Sequence, residues 1–295
     1  MRKDVEDICQ KCPTCQFTKK KTIKYGHLPG KEAEAEPWEI LCVDLIGPYK
    51  IKLKNKKKEL ELWCLTMIDP STGWFEMAQI PKKDSLTVAQ KAEIIWFTRY
   101  PWPQRIIYDR GTEFLGDFRR MVREDYGVRT SPITARNPQA NAILERIHQT
   151  IGNILRTFEL QFSDDNEAID GVLAATMFAV RATYHTTLRA TPSQLVFGRD
   201  AILNTKFDAN WYLIRKRKQA LINKNNEAEN SKRKEYQYQI GQKVIVRQDP
   251  SRKYGTNAYE GPYEITHINQ NGSIRIRMGA VQRTYNIRNL HPYKE

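Results

Sequence analysis

The sequence predicts an α/β protein in which a mixed sheet is flanked by helices and followed by a small all-β unit. Between residues 38 and 80 three strand-like runs follow one another as a meander, and after residue 85 helical and strand-like patterns alternate. That order fits a mixed sheet with helices on its faces. From Ile240 the apolar period shifts to two, interrupted by turn residues at short intervals, the pattern of a small β-barrel. At 295 residues the chain is long enough for a sizeable core and more than one domain.

Residues 1–21 hold Cys9, Cys12 and Cys15. A structural zinc site needs four ligands, so a Cys12/Cys15 pair without two more leaves this segment loosely ordered. His27 lies nearby, but its spacing is not a strong zinc signature. Residues 22–36 read as a linker, with turn signals at Gly26 and Pro29-Gly30. Residues 38–46 read as the first strand, and the lysine-rich stretch 50–58 as an exposed hairpin. Leu60 to Asp69 is a second strand, Pro70-Ser71-Thr72-Gly73 a turn, and Trp74 to Ile80 a third strand. Residues 85–99 carry helix-spaced apolar positions at Leu86, Ala89, Ile94 and Phe97. A strand over 104–109, a helix over 112–125 and a short strand over 128–131 follow. Pro132 and Pro138 make 131–141 a loop.

From Ala140 to Phe158 the pattern is helical. Ile143, Ile147, Ile151, Leu155 and Phe158 form one apolar stripe. Glu145, Gln149, Gly152 and Arg156 form another, which points Glu145 away from the core. Residues 165–184 repeat the helical pattern. Trp211 to Tyr236 is polar and basic with few Gly or Pro, and reads as a solvent-bridging helix. Short strands at 244–246, 263–265 and 273–277 are split by Asp249-Pro250, Gly261-Pro262 and Asn271-Gly272. Arg275 and Arg277 alternate with Ile274 and Ile276, so both arginines face outward.

Composition narrows the class of partner. The net charge is +14. Residues 206–295 carry 18 Lys and Arg against 8 Asp and Glu, a net +10. A balance this basic points to a polyanion. No apolar stretch approaches the roughly 20 residues that span a bilayer, and no membrane partner is expected. Five cysteines, an odd number, argue against a complete disulfide framework and for a reducing, intracellular setting.

Three carboxylates carry the chemistry. Asp44 ends the apolar run Trp38-Glu39-Ile40-Leu41-Cys42-Val43, and Asp109 ends Ile106-Ile107-Tyr108. Glu145 lies on the helical stretch, 35 residues beyond Asp109. Two strand ends and a helix that bring three carboxylates together make a site for hard divalent cations, which prefer oxygen ligands. Two such ions can clamp the attacking and leaving oxygens of a phosphoryl transfer.

The motifs around these residues resemble those of retroviral-type integrases, specifically the gypsy-like long-terminal-repeat retrotransposon branch, where the protein is a piece of a Pol polyprotein. The matching stretches are Cys12-Pro13-Thr14-Cys15-Gln16, Pro37-Trp38-Glu39 with Asp44 and Gly47-Pro48, and Asp109-Arg110-Gly111-Thr112-Glu113-Phe114. Pro138-Gln139 leading to Glu145-Arg146, Thr191-Pro192 with Phe197-Gly198, and Gly261-Pro262-Tyr263 complete them. The resemblance implies a zinc-module remnant at 1–21, a linker at 22–36 and an RNase-H-like catalytic core at 37–200. A basic helical linker at 201–239 and a Src-homology-3-like DNA-binding barrel at 240–295 would follow.

It also implies that Asp44, Asp109 and Glu145 hold two Mg²⁺ or Mn²⁺ ions. With them the protein trims the 3′ ends of the element's double-stranded DNA and joins those ends to target DNA in the nucleus, as a homo-oligomer assembled on DNA. Cys12 and Cys15 are by the same resemblance an incomplete half-site, with zinc bound only where two upstream His ligands are present. Arg136, Gln149, Arg156, Lys216, Arg217, Arg275 and Arg277 are the candidate DNA contacts. Ala142 departs from the family, which often has Gly there. The alternatives are an inactive, host-adopted integrase-like DNA-binding or scaffold protein, and a cut-and-paste transposase. The Cys12/Cys15 pair and the Gly261-Pro262-Tyr263 motif argue against the transposase.

Overall fold

The computed structural model describes residues 5, 8, 11–33, 36–52, 59–109, 111–132, 147–153, 166–248 and 257–294. In chain order its elements are helix α1 (Pro13–Thr18), strands β1 (Lys24–Tyr25), β2 (Ile40–Lys52), β3 (Glu59–Ile68) and β4 (Phe75–Ile80), and helix α2 (Ser85–Ala92). Strand β5 (Arg105–Tyr108), helix α3 (Asp117–Arg120), strand β6 (Arg129–Pro132), and helices α4 (Asn166–Ala182), α5 (Pro192–Phe197) and α6 (Trp211–Asn230) come next. Strands β7 (Arg233–Lys234), β8 (Lys243–Arg247), β9 (Tyr259–Ile268), β10 (Ser273–Met278), β11 (Val281–Asn286) and β12 (Leu290–Pro292) complete the chain. Residues 147–153 are helical. The chain divides into two compact units, residues 33–219 and residues 1–32 with 220–295.

The larger unit is built on a five-stranded sheet in the order β4-β3-β2-β5-β6. β2, β3 and β4 pair antiparallel, whereas β5 runs parallel to both β2 and β6. Successive side chains of a strand alternate between faces. Leu41, Val43, Ile106 and Tyr108 belong to one core cluster, with Val88, Ala92 and Trp96. Ile40, Cys42, Ile46 and Ile107 belong to the other, with Ile147, Ile151, Ile169 and Leu173. Each face of the sheet is thus covered by helix, the mixed α/β architecture that the sequence pattern predicts.

Several elements differ from their sequence reading. Trp38 has φ 67°, so the first strand begins at Ile40 rather than at 38. The strand then continues to Lys52 and pairs with Glu59 across the lysine-rich stretch. α2 is capped by Asp84, whose side chain accepts the Thr87 backbone N–H at 2.9 Å. It runs on into a π-helical turn over Glu93–Phe97. Leu86 and Ile94, read as core positions, are 52% and 53% exposed. The buried stripe is instead Val88, Ala89, Ala92, Ile95 and Trp96, which follows the helical period more closely and seats the larger side chain. The expected helix over 112–125 is broken into a 3₁₀ turn at Thr112–Phe114, α3, and a π-helical turn at Met121–Asp125.

The smaller unit holds an antiparallel sheet in the order β11-β10-β9-β8-β12. Its core includes Val244, Val246, Ile265, Ile274, Ile276, Tyr285 and Leu290. Leu28, in the stretch read as a linker, is part of that core, and β1 pairs in parallel with β7. α1, expected to be loosely ordered, is docked. The Gln16 amide donates to the Lys294 carbonyl at 2.7 Å and accepts the Lys294 N–H at 3.0 Å. Helix α6 ends at Asn230, short of the expected Tyr236, and Arg233 is buried, with its Nη2 donating to the Tyr25 carbonyl at 2.8 Å.

Gly261-Pro262, read as a break between strands, lies inside β9. The β8–β9 register shifts there, as the β2–β3 register shifts at Gly47-Pro48. Both pairs are bulges, where proline's missing N–H and glycine's freedom at positive φ are tolerated within a sheet. A Cβ on Gly47 would stand 2.5 Å from the Leu62 carbonyl oxygen.

Candidate active site

Asp44 lies within β2, and Asp109 follows the last residue of β5. β2 and β5 are adjacent and parallel, with Ile40 opposite Arg105, Leu41 opposite Ile106 and Cys42 opposite Ile107. Two residues further along each segment come Asp44, still within β2, and Asp109, just beyond the end of β5. In the alternation set by Cys42, Asp44 falls on the face that Ile147 and Ile151 cover. The helical segment 147–153 therefore packs beside Asp44, with Glu145 just upstream of it in sequence. Glu145 itself, Arg136 and Arg156 lie outside the described residues.

The surroundings of Asp44 are specific. Its Oδ1 accepts the Leu45 backbone N–H at 2.9 Å. Thr66, opposite it on β3, donates its hydroxyl to the Asp44 backbone carbonyl at 2.9 Å. The same Thr66 oxygen lies 2.9 Å from His148 Nε2, and His148 Nδ1 is 3.9 Å from Asp44 Oδ2. Burial disfavours the charged imidazole and pushes the His148 pKa down to about 4, so the ring is neutral at pH 7.

Asp109 sits at the mouth of a tight turn. Its Oδ1 accepts the Gly111 backbone N–H at 2.9 Å. A Cβ on Gly111 would lie 2.5 Å from the Glu113 carboxyl carbon, so only glycine fits there without moving that side chain. Glu113 is buried and pairs with Lys83 at 3.1 Å. The Lys83 ammonium also stands over the Trp63 ring, 5.0 Å from its centroid. The Gly111-Thr112-Glu113 part of the motif thus fixes the turn that presents Asp109.

Asp44 and Asp109 offer the oxygen donors that hard divalent cations take. Among the described residues no three His, Cys, Asp or Glu converge on one point. Beside Asp44 the structure places the neutral imidazole of His148.

The remaining predicted residues are scattered. Gln149 is exposed on the 147–153 segment. Lys216 is exposed on α6, whereas the neighbouring Arg217 donates to the Thr187 and Leu188 carbonyls at 3.1 and 2.9 Å. That guanidinium ties α6 to the loop before α5, which a basic run cannot reveal in sequence. Arg275 and Arg277 are exposed, as their alternation requires, and Arg277 pairs with Glu264 at 3.6 Å. Cys12 caps α1, and the Cys15 backbone N–H holds its thiol below the usual range.

Sequence reasoning missed His148 and Thr66. His148 stands three residues after Glu145, a spacing that shares a helix face, so a signal was available. Thr66 left none, because only the pairing of β2 with β3 brings it to Asp44. Also unforeseen is a buried cluster in which Glu76 pairs with Arg181 and accepts the Tyr100 hydroxyl, with the Arg181 guanidinium 4.3 Å from the Trp74 ring centroid. No helix among the described residues is long and apolar enough to cross a membrane.

Residues 34–138 match the model of the integrase core domain. The chain is 25% identical over 299 residues to the retrovirus-related Pol polyprotein from transposon 412 of Drosophila melanogaster, covering 94% of this chain and 23% of the polyprotein. It is 27% identical to gypsy retrotransposon integrase-like protein 1 of Bos taurus, covering 70% of this chain and 39% of that protein. The chain therefore spans well under half the length of both relatives. Its fold is similar to that of a chain in the simian T-cell lymphotropic virus intasome solved in complex with the PP2A regulatory subunit B56 gamma. The TM-score is 0.64 at 13% identity, over 99% of this chain and 91% of that one.

Proposed function

We propose that this chain, which carries an integrase core domain and is related to retrotransposon Pol polyproteins, is a DNA integrase. Its activity on this reading is metal-dependent trimming of 3′ ends and transfer of those ends into a second duplex. The observation that supports it is the parallel pairing of β2, which contains Asp44, with β5, which Asp109 follows, together with the helical segment after Glu145 that packs on β2. Asp44, Asp109 and Glu145 would hold two divalent cations. When bound, such ions supply Lewis-acid stabilisation of the charge that builds up at a phosphodiester under in-line attack.

The chain's own residues do the positioning. The Leu45 N–H fixes Asp44, and the Gly111 N–H fixes Asp109. Both carboxylates are thereby set before any ion or DNA arrives, which lowers the cost of organising the site. Arg136, Gln149, Arg156, Lys216, Arg275 and Arg277 would lie along DNA backbones, giving salt-dependent affinity with little sequence preference. The antiparallel sheet of β8 to β12 would close as a Src-homology-3-like barrel for the same purpose. Nuclear action as a homo-oligomer on DNA, and zinc at Cys12 and Cys15 where upstream His ligands exist, complete the proposal.

The test uses Asp44→Asn, Asp109→Asn and Glu145→Gln in strand transfer of pre-trimmed duplex ends with Mg²⁺. Each is expected to lower the rate by at least about 100-fold, given that even supporting residues of metal sites are worth about 10- to 100-fold, with thermal unfolding little changed. Near-normal activity in any one variant removes that residue from the site. A wild-type chain that binds DNA and transfers none would favour the scaffold reading.

A further inference from the structure

We propose that His148 is a nitrogen ligand to the cation held at Asp44 and shifts the site's preference from Mg²⁺ toward first-row transition ions such as Mn²⁺. This rests on Asp44 being a metal ligand, as proposed above. The Thr66 hydroxyl has a single proton to donate, and the Asp44 carbonyl, which can only accept, receives it at 2.9 Å. In its other contact, with His148 Nε2 at 2.9 Å, the Thr66 oxygen must therefore be the acceptor. The imidazole hydrogen is then on Nε2, and Nδ1 presents a lone pair.

That lone pair faces Asp44 Oδ2 at 3.9 Å. Two donors that share one ion at about 2.1 Å each stand no more than about 4.2 Å apart, and the observed 3.9 Å lies within that reach. The Thr66 contact serves as the outer hydrogen bond that metal-ligating histidines use to fix tautomer and ring orientation. β3 thus holds both the backbone of Asp44 and the ring of His148 in one register. A nitrogen donor adds little for Mg²⁺, which takes oxygens, and more for transition ions.

The experiment measures Mg²⁺ and Mn²⁺ binding by calorimetry, and pulsed electron paramagnetic resonance of bound Mn²⁺, on the full chain and on His148→Asn and Asp44→Asn. Asparagine keeps an N–H for Thr66 and removes the imidazole nitrogen. His148→Asn is expected to weaken Mn²⁺ by about tenfold or more, to change Mg²⁺ by less than about twofold, and to erase the nitrogen modulation on Mn²⁺. A histidine with a purely structural role would lower the unfolding temperature and leave the Mn²⁺/Mg²⁺ ratio intact, and an unchanged ratio overturns the inference.

Asp44→Asn separates the two levels. If it abolishes binding while His148→Asn leaves the ratio unchanged, only the His148 assignment fails. If it leaves Mn²⁺ bound as before, the metal reading of Asp44 fails and this inference with it. Should His148→Asn not fold, nitrogen modulation in the wild-type chain decides, its absence overturning the assignment.

Discussion

At position 111 the structure asks for a residue with no side chain, because the Glu113 carboxyl occupies the space a Cβ would take. Glu113 is not free to swing away, being 6% exposed and paired with Lys83. Gly111→Ala is therefore expected to cost about 1–3 kcal/mol, the range for overfilling a packed site, measured by urea unfolding. The same change in a Glu113→Ala background should cost less than about 0.5 kcal/mol, as for substitutions that meet no obstacle. Equal costs in the two backgrounds would show that the turn, rather than the contact with Glu113, requires glycine. Strand transfer should fall in Gly111→Ala as well, since the Gly111 N–H orients Asp109.

Among the elements, α5 shows how a family motif can be a folding signal rather than a site. Thr191-Pro192 and Phe197-Gly198 bracket that helix. The Thr191 hydroxyl accepts the Gln194 N–H at 3.1 Å, and the Gln194 side chain accepts the Thr191 N–H at 2.9 Å. This is a reciprocal capping box with proline in the first turn. Gly198 ends the helix at φ 66°, the left-handed conformation that glycine adopts without penalty. Thr191→Ala should cost about 1 kcal/mol in unfolding free energy, with strand-transfer rate per folded molecule unchanged. A selective loss of activity would give the motif a role that the hydrogen bonds do not reveal.

For the whole molecule the relevant quantities are charge and protonation. Burial, followed by the charges of Lys21, Arg247 and Arg233, pushes the His291 pKa down to about 4 from an ordinary value of 6.5. Between those values the unfolded chain holds a proton that the folded chain does not. Stability contributed at His291 is therefore complete above pH 6.5 and is lost as pH falls toward 4, up to about 3 kcal/mol. His291→Gln should flatten the decline in unfolding temperature over that window; an unaltered slope would assign the acid sensitivity to other groups.

At neutral pH the net +14 favours a polyanion. Replacing Lys216, Arg275 and Arg277 by Gln should weaken duplex DNA binding. It should also reduce the slope of log affinity against log salt by about 0.9 for each phosphate that is no longer neutralised. A slope that does not move would place the DNA path elsewhere. Arg217 is left out of that set because its guanidinium holds the Thr187 and Leu188 carbonyls.

The mixed sheet with its helices was legible because the apolar period is a local property: the alternation of β2 and β5 and the Ile147/Ile151 stripe follow from neighbours in sequence. The carboxylate motifs were legible for the same reason, as short runs with characteristic spacing. Boundaries set by backbone sterics were not. Trp38 at positive φ and the bulges at Gly47-Pro48 and Gly261-Pro262 depend on strands that pair from elsewhere. Leu28, read as linker, became core because a sheet more than two hundred residues away closes over it. Arg217, read as a DNA contact, became a clamp because two backbone carbonyls lie within its reach. By itself the sequence determined the short motifs that make Asp44, Asp109 and Glu145 the candidates for chemistry. The tertiary structure decided what surrounds Asp44, since the β2–β3 pairing brings Thr66, and through it His148, to that residue.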